Sequence, residues 1–237
     1  MNPLRWTAFV VGLLFIITFA VSIPAALVLY TPVLDHTDYI VGAGADRRIA
    51  LGAFLEMILI VANIGTAVVL FPILRRQNEA FSLGYVTARV MESVFIAVGF
   101  LSLLAIVTLR QDLAGTAGAD AASLETVGRS LVAVHDWTFL LGPGWVVGIG
   151  NGLLLGYMMY RSGLVPRGMA MLGLIGGPLI IISGTAVLFD VIEPGSSAQV
   201  IATIPEFFWE LSLGIYLMIK GFKPSPITDG LPAAATV

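Results

Sequence analysis

The sequence predicts an all-α fold, a polytopic bundle of six membrane-spanning helices. Three observations predict it. Of the 237 residues, 58% are hydrophobic and only 11% are charged, against about 25% charged in ordinary soluble domains. The apolar residues also fall into long runs, each near the roughly 20 residues a helix needs to cross about 30 Å of hydrocarbon. Finally, the charges collect in the connections and alternate in sign from one connection to the next.

The runs place the spans at 7–30, 50–74, 84–108, 137–160, 168–189 and 199–219. The first follows Arg5 and could pass for a signal peptide ending near Ser22-Ile23-Pro24-Ala25-Ala26. Because it stays apolar to Tyr30, it reads as a retained span. Asp46 and the Ser196-Ser197 pair suit the N-caps of the second and sixth helices, and Pro166 suits the first turn of the fifth. Between spans three and four, Leu124, Val127, Leu131 and Val134 recur at helical spacing, which predicts a short helix lying at the outer interface. Residues 1–222 form one domain, and the proline-rich tail 223–237 is expected to be disordered.

Counting connections alternately, Arg5, Arg75, Arg76, Arg161, Arg167, Lys220 and Lys223 share one side with only Glu79 and Asp229. The other side holds most of the acids. The positive-inside rule therefore predicts both termini in the cytoplasm of a multi-pass cell-membrane protein. A net charge of −3 gives no reason to expect nucleic acid as a partner, and the absence of cysteine rules out disulfides and thiolate chemistry. The lipid bilayer is the expected partner.

Span four carries Gly144, Gly148, Gly152 and Gly156, four glycines at every fourth position. Such a stripe lets another backbone approach closely, and it predicts a packing face for a second copy or a membrane partner. Gly173 and Gly177 make a shorter version in span five. Prolines at 24, 72, 143, 178 and 205 interrupt five spans, and each removes one backbone donor.

Six of the polar residues inside the spans are the candidate site: Glu56 and Asn63 share one helical face, Arg89 and Glu92 a second, and Glu206 and Glu210 a third. Asn151 on span four is a further polar residue within a span. A charge at the bilayer centre costs about 2.5–3.5 kcal/mol even on the gentler insertion scales, so these faces should point into the bundle. By depth, Glu92 and Glu210 lie near the midplane, Arg89 within reach of either, and Glu56 and Glu206 in the outer half. Four acids against one arginine leave charge to be neutralised by protonation, entering water or a bound cation.

At the outer mouth, His135 and Asp136 precede span four and could form an acid–base pair. His36, Asp35 and Asp38 could join His135 around a divalent ion, but no fixed ligand spacing supports it, and no metal or cofactor is assigned. Neither histidine lies inside a span as an axial haem ligand would. No GxSxG, HExxH, Walker or dinucleotide motif is present, and no catalytic residue is assigned.

Several stretches together resemble a prokaryotic family of integral membrane proteins, domain-of-unknown-function family four-three-eight-six. They are NPLRWTAFVVGLLFII, GAFLEMILIVANIGTAVVLFPILRRQNEAFSLGYVTARVMESV, HDWTFLLGPG, YRSGLVPRGMAMLGLIGG and IPEFFWELSLGIYLMIKGF. The resemblance implies a compact six-helix membrane domain in a prokaryotic inner membrane and no settled activity. It draws attention to Glu56, Arg89, Glu92, Asp136, Pro205, Glu206 and Glu210, which sit in the motif-bearing pieces.

Three functions fit the residues. One is a binding or transport protein whose acids handle a proton, a cation or a cationic amphiphile. The second is an accessory or assembly subunit with a purely structural ion pair. The third is an intramembrane enzyme using Asp136 and Glu206 on a lipid-like substrate, which would need a lateral opening between helices.

Overall fold

The computed structural model describes residues 2–36, 38–42, 44–113 and 121–230, and among these it contains helices and no strand. Six helical rods are long and apolar enough to cross a membrane: Pro3–Leu29, Asp46–Leu74, Glu79–Asp112, Ala121–Ser162, Arg167–Leu188 and Ser197–Ile219. Each of the six expected spans lies within one of them, save for a residue at the ends of the first and fifth. The protein is a multi-pass membrane protein.

The first rod is α1 (Pro3–Pro24), continued by a widened π turn at Ala25–Leu29 directly after Pro24. Pro24 has no N–H to give the preceding turn, and the backbone accommodates the gap by lengthening its hydrogen bonds. A short α2 (Thr31–Leu34) leads toward α3 (Asp46–Leu74) and α4 (Glu79–Leu113). Then α5 (Ala121–Leu141) runs into two π segments, Gly142–Val146 and Gly148–Leu155, and ends as α6 (Gly156–Ser162). Two further rods, α7 (Arg167–Leu188) and α8 (Ser197–Ile219), complete the bundle.

The rods close into a ring. Going round it, α1 packs on α3, α3 on α4, α4 on span four, span four on α7, α7 on α8, and α8 back on α1. Both ends of the chain meet at one end of this ring, where the Arg5 guanidinium donates to the carbonyls of Leu217, Met218 and Ile219 at 2.6–2.9 Å. It thereby caps the last turn of α8, adding a second donor to the Leu217 carbonyl, which already accepts from Gly221 N at 3.2 Å.

Two apolar cores fill the ring above and below a polar layer. The core at the end holding the termini includes Phe15, Ala67, Tyr85, Leu155 and Trp209, and the far core includes Tyr30, Leu59, Ile96 and Leu103. Asn63 lies between Leu59 and Ala67 on α3, and Arg89 and Glu92 lie between Tyr85 and Ile96 on α4. The polar residues therefore occupy the middle of the bundle.

Two expectations are corrected. The helix foreseen at the outer interface is not a separate element, because residues 121–141 form one helix that continues into span four. No strong breaker separates the two parts, and Leu124 and Leu131 pack on the far core rather than on a membrane surface. At 35 residues, α4 is roughly 52 Å long, well beyond the hydrocarbon thickness, and α5 packs along it. Next, Asp46 does not cap α3: Ala45 holds that position, and the Asp46 carboxylate instead accepts from Arg110 Nε at 2.9 Å, Gln111 Nε2 at 2.9 Å and the Tyr39 hydroxyl at 2.9 Å. Those bonds pin the start of α3 to the end of α4. Ser196 stands at the α8 N-cap without a side-chain capping bond.

Residues 223–230 of the tail lie against the bundle, with Lys223 N donating to Leu164 O at 2.8 Å and Ser225 Oγ to Ser162 O at 2.6 Å. Residues 231–237 lie outside those described, as do 114–120 in the connection between spans three and four.

The glycine stripe faces inward to the chain's own α7. A methyl group on Gly148 would stand 2.7 Å from Gly177 O, and one on Gly156 3.2 Å from Leu174 N, while Gly152 meets the Gly177 backbone directly. An ordinary α-helix advances about 100° per residue, so positions four apart drift by about 40°. The π segments widen the turn and keep Gly144, Gly148 and Gly152 closer to one line. Gly148, Gly152 and Gly156 are thus taken up by α7 inside the ring, while a methyl on Gly144 would meet Phe139 O and the Leu140 side chain of its own rod.

Candidate functional site

The acids and the arginine singled out from the spans line one cavity of about 780 Å³ inside the ring. Glu56 and Asn63 reach it from α3, Arg89 and Glu92 from α4, and Glu206 and Glu210 from α8. Three helices contribute because each carries its polar residues on a single face, and closing the ring turns those faces toward each other.

Within the cluster the partners are unequal. Arg89 is 1% exposed and engaged at each of its three nitrogens: Nη1 pairs with Glu92 Oε2 at 2.7 Å, Nη2 donates to Asn63 Oδ1, and Nε reaches the Asn63 carbonyl at 3.5 Å. Asn63 Nδ2 in turn donates to Glu92 Oε1 at 3.2 Å, so Arg89, Glu92 and Asn63 form a closed triad. Such closure is what a buried ion pair requires, since the interior otherwise offers nothing to replace water.

The remaining acids are less committed. Glu210 accepts from Asn151 Nδ2 at 2.5 Å through Oε1, and Asn151 is fixed by its carbonyl, which accepts from Trp209 Nε1 at 2.9 Å. Glu56 accepts only from the Tyr30 hydroxyl, at 2.8 Å. Glu206 stands apart. It is 2% exposed, and neither of its carboxyl oxygens has a hydrogen-bond partner.

Glycines make the seat for Glu206. A methyl group on Gly176 would lie 2.7 Å from its Oε2, and one on Gly152 2.9 Å from the same atom. Only residues without a side chain leave room for a carboxyl between span four and α7. Sequence reasoning found Gly152 as a packing residue and missed this second role, and it did not single out Gly176 at all. Tyr30 was also missed, although an aromatic hydroxyl at a span end, within reach of a buried glutamate, is a readable signal. Asn151 was counted among the buried polar residues without being assigned to the site.

His135 and Asp136 do not belong to this cavity. His135 is buried, with its ring edge-on to Tyr30 at 5.8 Å and stacked near Phe139 at 6.3 Å, and its Nδ1 lies 3.2 Å from Asp136 Oδ1. Asp136 lines a separate cavity of about 140 Å³ with His36 and Arg129. Asp136 and Glu206 thus face different spaces, which removes the pairing that the enzyme reading needed. Among the described residues no three His, Asp or Glu side chains stand close enough to share a metal ion, so Asp35, His36, Asp38 and His135 do not assemble into a site.

The chemistry available in the large cavity is acidic. Its one guanidinium is already paired with Glu92 and Asn63, while Glu206 and the second oxygens of Glu56 and Glu210 remain to accept. An anion entering it would meet unpaired acceptors, whereas a donor or cation would satisfy them.

No curated protein and no solved structure matches the chain. A family model described as "Domain of unknown function (DUF4386)" matches residues 10–221, nearly the whole length, and the chain belongs to that family.

Proposed function

We propose that this protein is a membrane binding or transport protein whose interior acids handle a proton, a cation or the head of a cationic amphiphile. The observation that carries the reading is the Glu206 carboxyl, buried and without a partner on the wall of a cavity of about 780 Å³. A group left so costs about 1–3 kcal/mol of unmade hydrogen bonding, a cost that a bound donor removes. The Arg89–Glu92–Asn63 triad then holds the geometry, and Glu206 and Glu210, one helical turn apart, face the ligand. The end carrying the termini, with Arg5, Arg75, Arg76 and Lys220, faces the cytoplasm of a prokaryotic cell membrane.

A second reading, an accessory subunit of a membrane complex, is favoured by the closed triad alone, because a fully satisfied ion pair can serve only to fix helix order. The separating experiment is proton and monovalent-cation binding to purified protein across pH, comparing wild type with Glu206→Gln, Glu210→Gln and Arg89→Leu. Loss of binding in the two glutamate variants supports the ion-handling reading. Binding that is unchanged in both discards it in favour of the accessory role.

A further inference from the structure

Resting on that reading, we infer that the ligand is an amphiphile with a primary ammonium head and a single apolar tail, which enters sideways from the bilayer between α1 and α8. The route is written in the helical phase of α8. Taking Glu206 as zero and about 100° per residue, Glu210 and Thr203 lie near 40° and 60°, facing inward. Phe207, Val200, Ile204 and Phe208 follow near 100°, 120°, 160° and 200°. All of them line the same cavity, which therefore continues from the acids around the α1-facing side of α8 to its lipid-facing stripe. The other flank of α8 is closed, since Trp209, near −60°, is fully buried against Gly173 of α7.

On α1 the facing wall is Phe19, Ser22, Ile23, Ala26 and Leu27. At the other end of the pair the two helices touch closely, with a methyl on Gly12 standing 2.6 Å from Gly214 O. Nearer the far end, the two helices meet through an edge-on pair of rings, Phe19 and Phe207, with centroids 5.1 Å apart. Leu27 and Val200, 69% and 56% exposed, open onto lipid beyond it.

Size and chemistry then choose the occupant. A bare ion needs a handful of oxygens and no apolar wall, whereas a cavity of this volume with mostly hydrophobic lining and a few convergent polar groups suits an organic ligand. The head must be a donor, because both Glu206 oxygens lack one, and it must be positive, because the acids outnumber the engaged Arg89. An ammonium brings three N–H donors to the unused oxygen of Glu210 and, once the Glu206 carboxyl turns out of its glycine seat, to Glu206.

The test uses full-length protein in lipid nanodiscs, titrated with decylammonium, decanol and decyl sulfate against empty nanodiscs as the partition control. Decylammonium is expected to bind saturably and roughly tenfold or more tighter than the other two, with that advantage lost in Glu206→Gln. Ala26→Trp, which narrows the passage, is expected to weaken decylammonium binding. Decanol or decyl sulfate binding as tightly as decylammonium overturns the inference, as does binding indifferent to both substitutions. If that happens while proton or inorganic-cation binding still depends on Glu206, the amphiphile is discarded and the ion-handling function stands; if neither depends on it, both fall. Should Glu206→Gln not fold, Ala26→Trp decides.

Discussion

Replacing Arg89 by leucine removes the only cation from the middle of the bundle. Glu92, 5% exposed, then loses its 2.7 Å ion pair and keeps only Asn63 Nδ2 at 3.2 Å, while the Asn63 Oδ1 loses its guanidinium donor. Breaking a buried pair from one side costs about 3–5 kcal/mol. For a chain of this size each kcal/mol shifts the unfolding midpoint by about 2–4 °C, so Arg89→Leu should lower it by about 6–20 °C. The double variant Arg89→Leu/Glu92→Leu removes both charges and orphans only the Asn63 amide, a loss of about 1–3 kcal/mol. It should therefore be more stable than the Arg89→Leu single variant. Thermal or SDS-driven unfolding in matched detergent, run as a double-mutant cycle, measures the coupling. If the two single effects simply add in the double variant, the closed triad is not an energetic unit and the reasoning fails.

Other consequences follow from the same packing. Gly148→Leu should destabilise the bundle by at least about 1–3 kcal/mol by forcing span four off α7, whereas Gly168→Leu, where an added Cβ meets nothing within 4 Å, should leave the midpoint within about 0.5 kcal/mol; thermal unfolding of the pair checks both. Trp209→Phe, which removes one of the two donors to the Asn151 carbonyl and leaves it the Gly156 N–H, should cost about 0.5–1.5 kcal/mol and loosen Glu210, visible as altered proton binding. Because the chain has no cysteine, single Arg76→Cys and Asp190→Cys variants report orientation directly: a membrane-impermeant maleimide added to intact cells should label only the second. Labelling of the first alone would reverse the proposed topology.

The fold was readable because lipid imposes its own grammar. Span length, apolar runs and the exclusion of charge act residue by residue, so all six rods could be placed from composition along the chain. Faces were readable too, since the i, i+3 and i, i+4 spacings of Arg89 with Glu92 and of Glu206 with Glu210 depend only on helical pitch. What the chain could not show was which partner each face meets. The depth estimate left Arg89 free to join Glu92 or Glu210, and the structure gives it to Glu92 and Asn63 while Asn151 takes Glu210. The glycine stripe was legible as a close-approach surface, but not as one satisfied by α7 of the same chain. His135 looked like a mouth residue because it is polar and precedes a span, yet the continuous α5 carries it into contact with Tyr30. Each of these misreadings concerns a contact between distant segments, where ring closure decides and local spacing is silent.

The central claim is that the Glu206 carboxyl on α8 receives a positively charged donor. Isotope-edited infrared difference spectroscopy, recorded as an ammonium ligand is added, watches that group directly. The account predicts a carboxyl band that shifts on addition and is missing from the difference spectrum of Glu206→Gln. An identical difference spectrum in wild type and variant would contradict it.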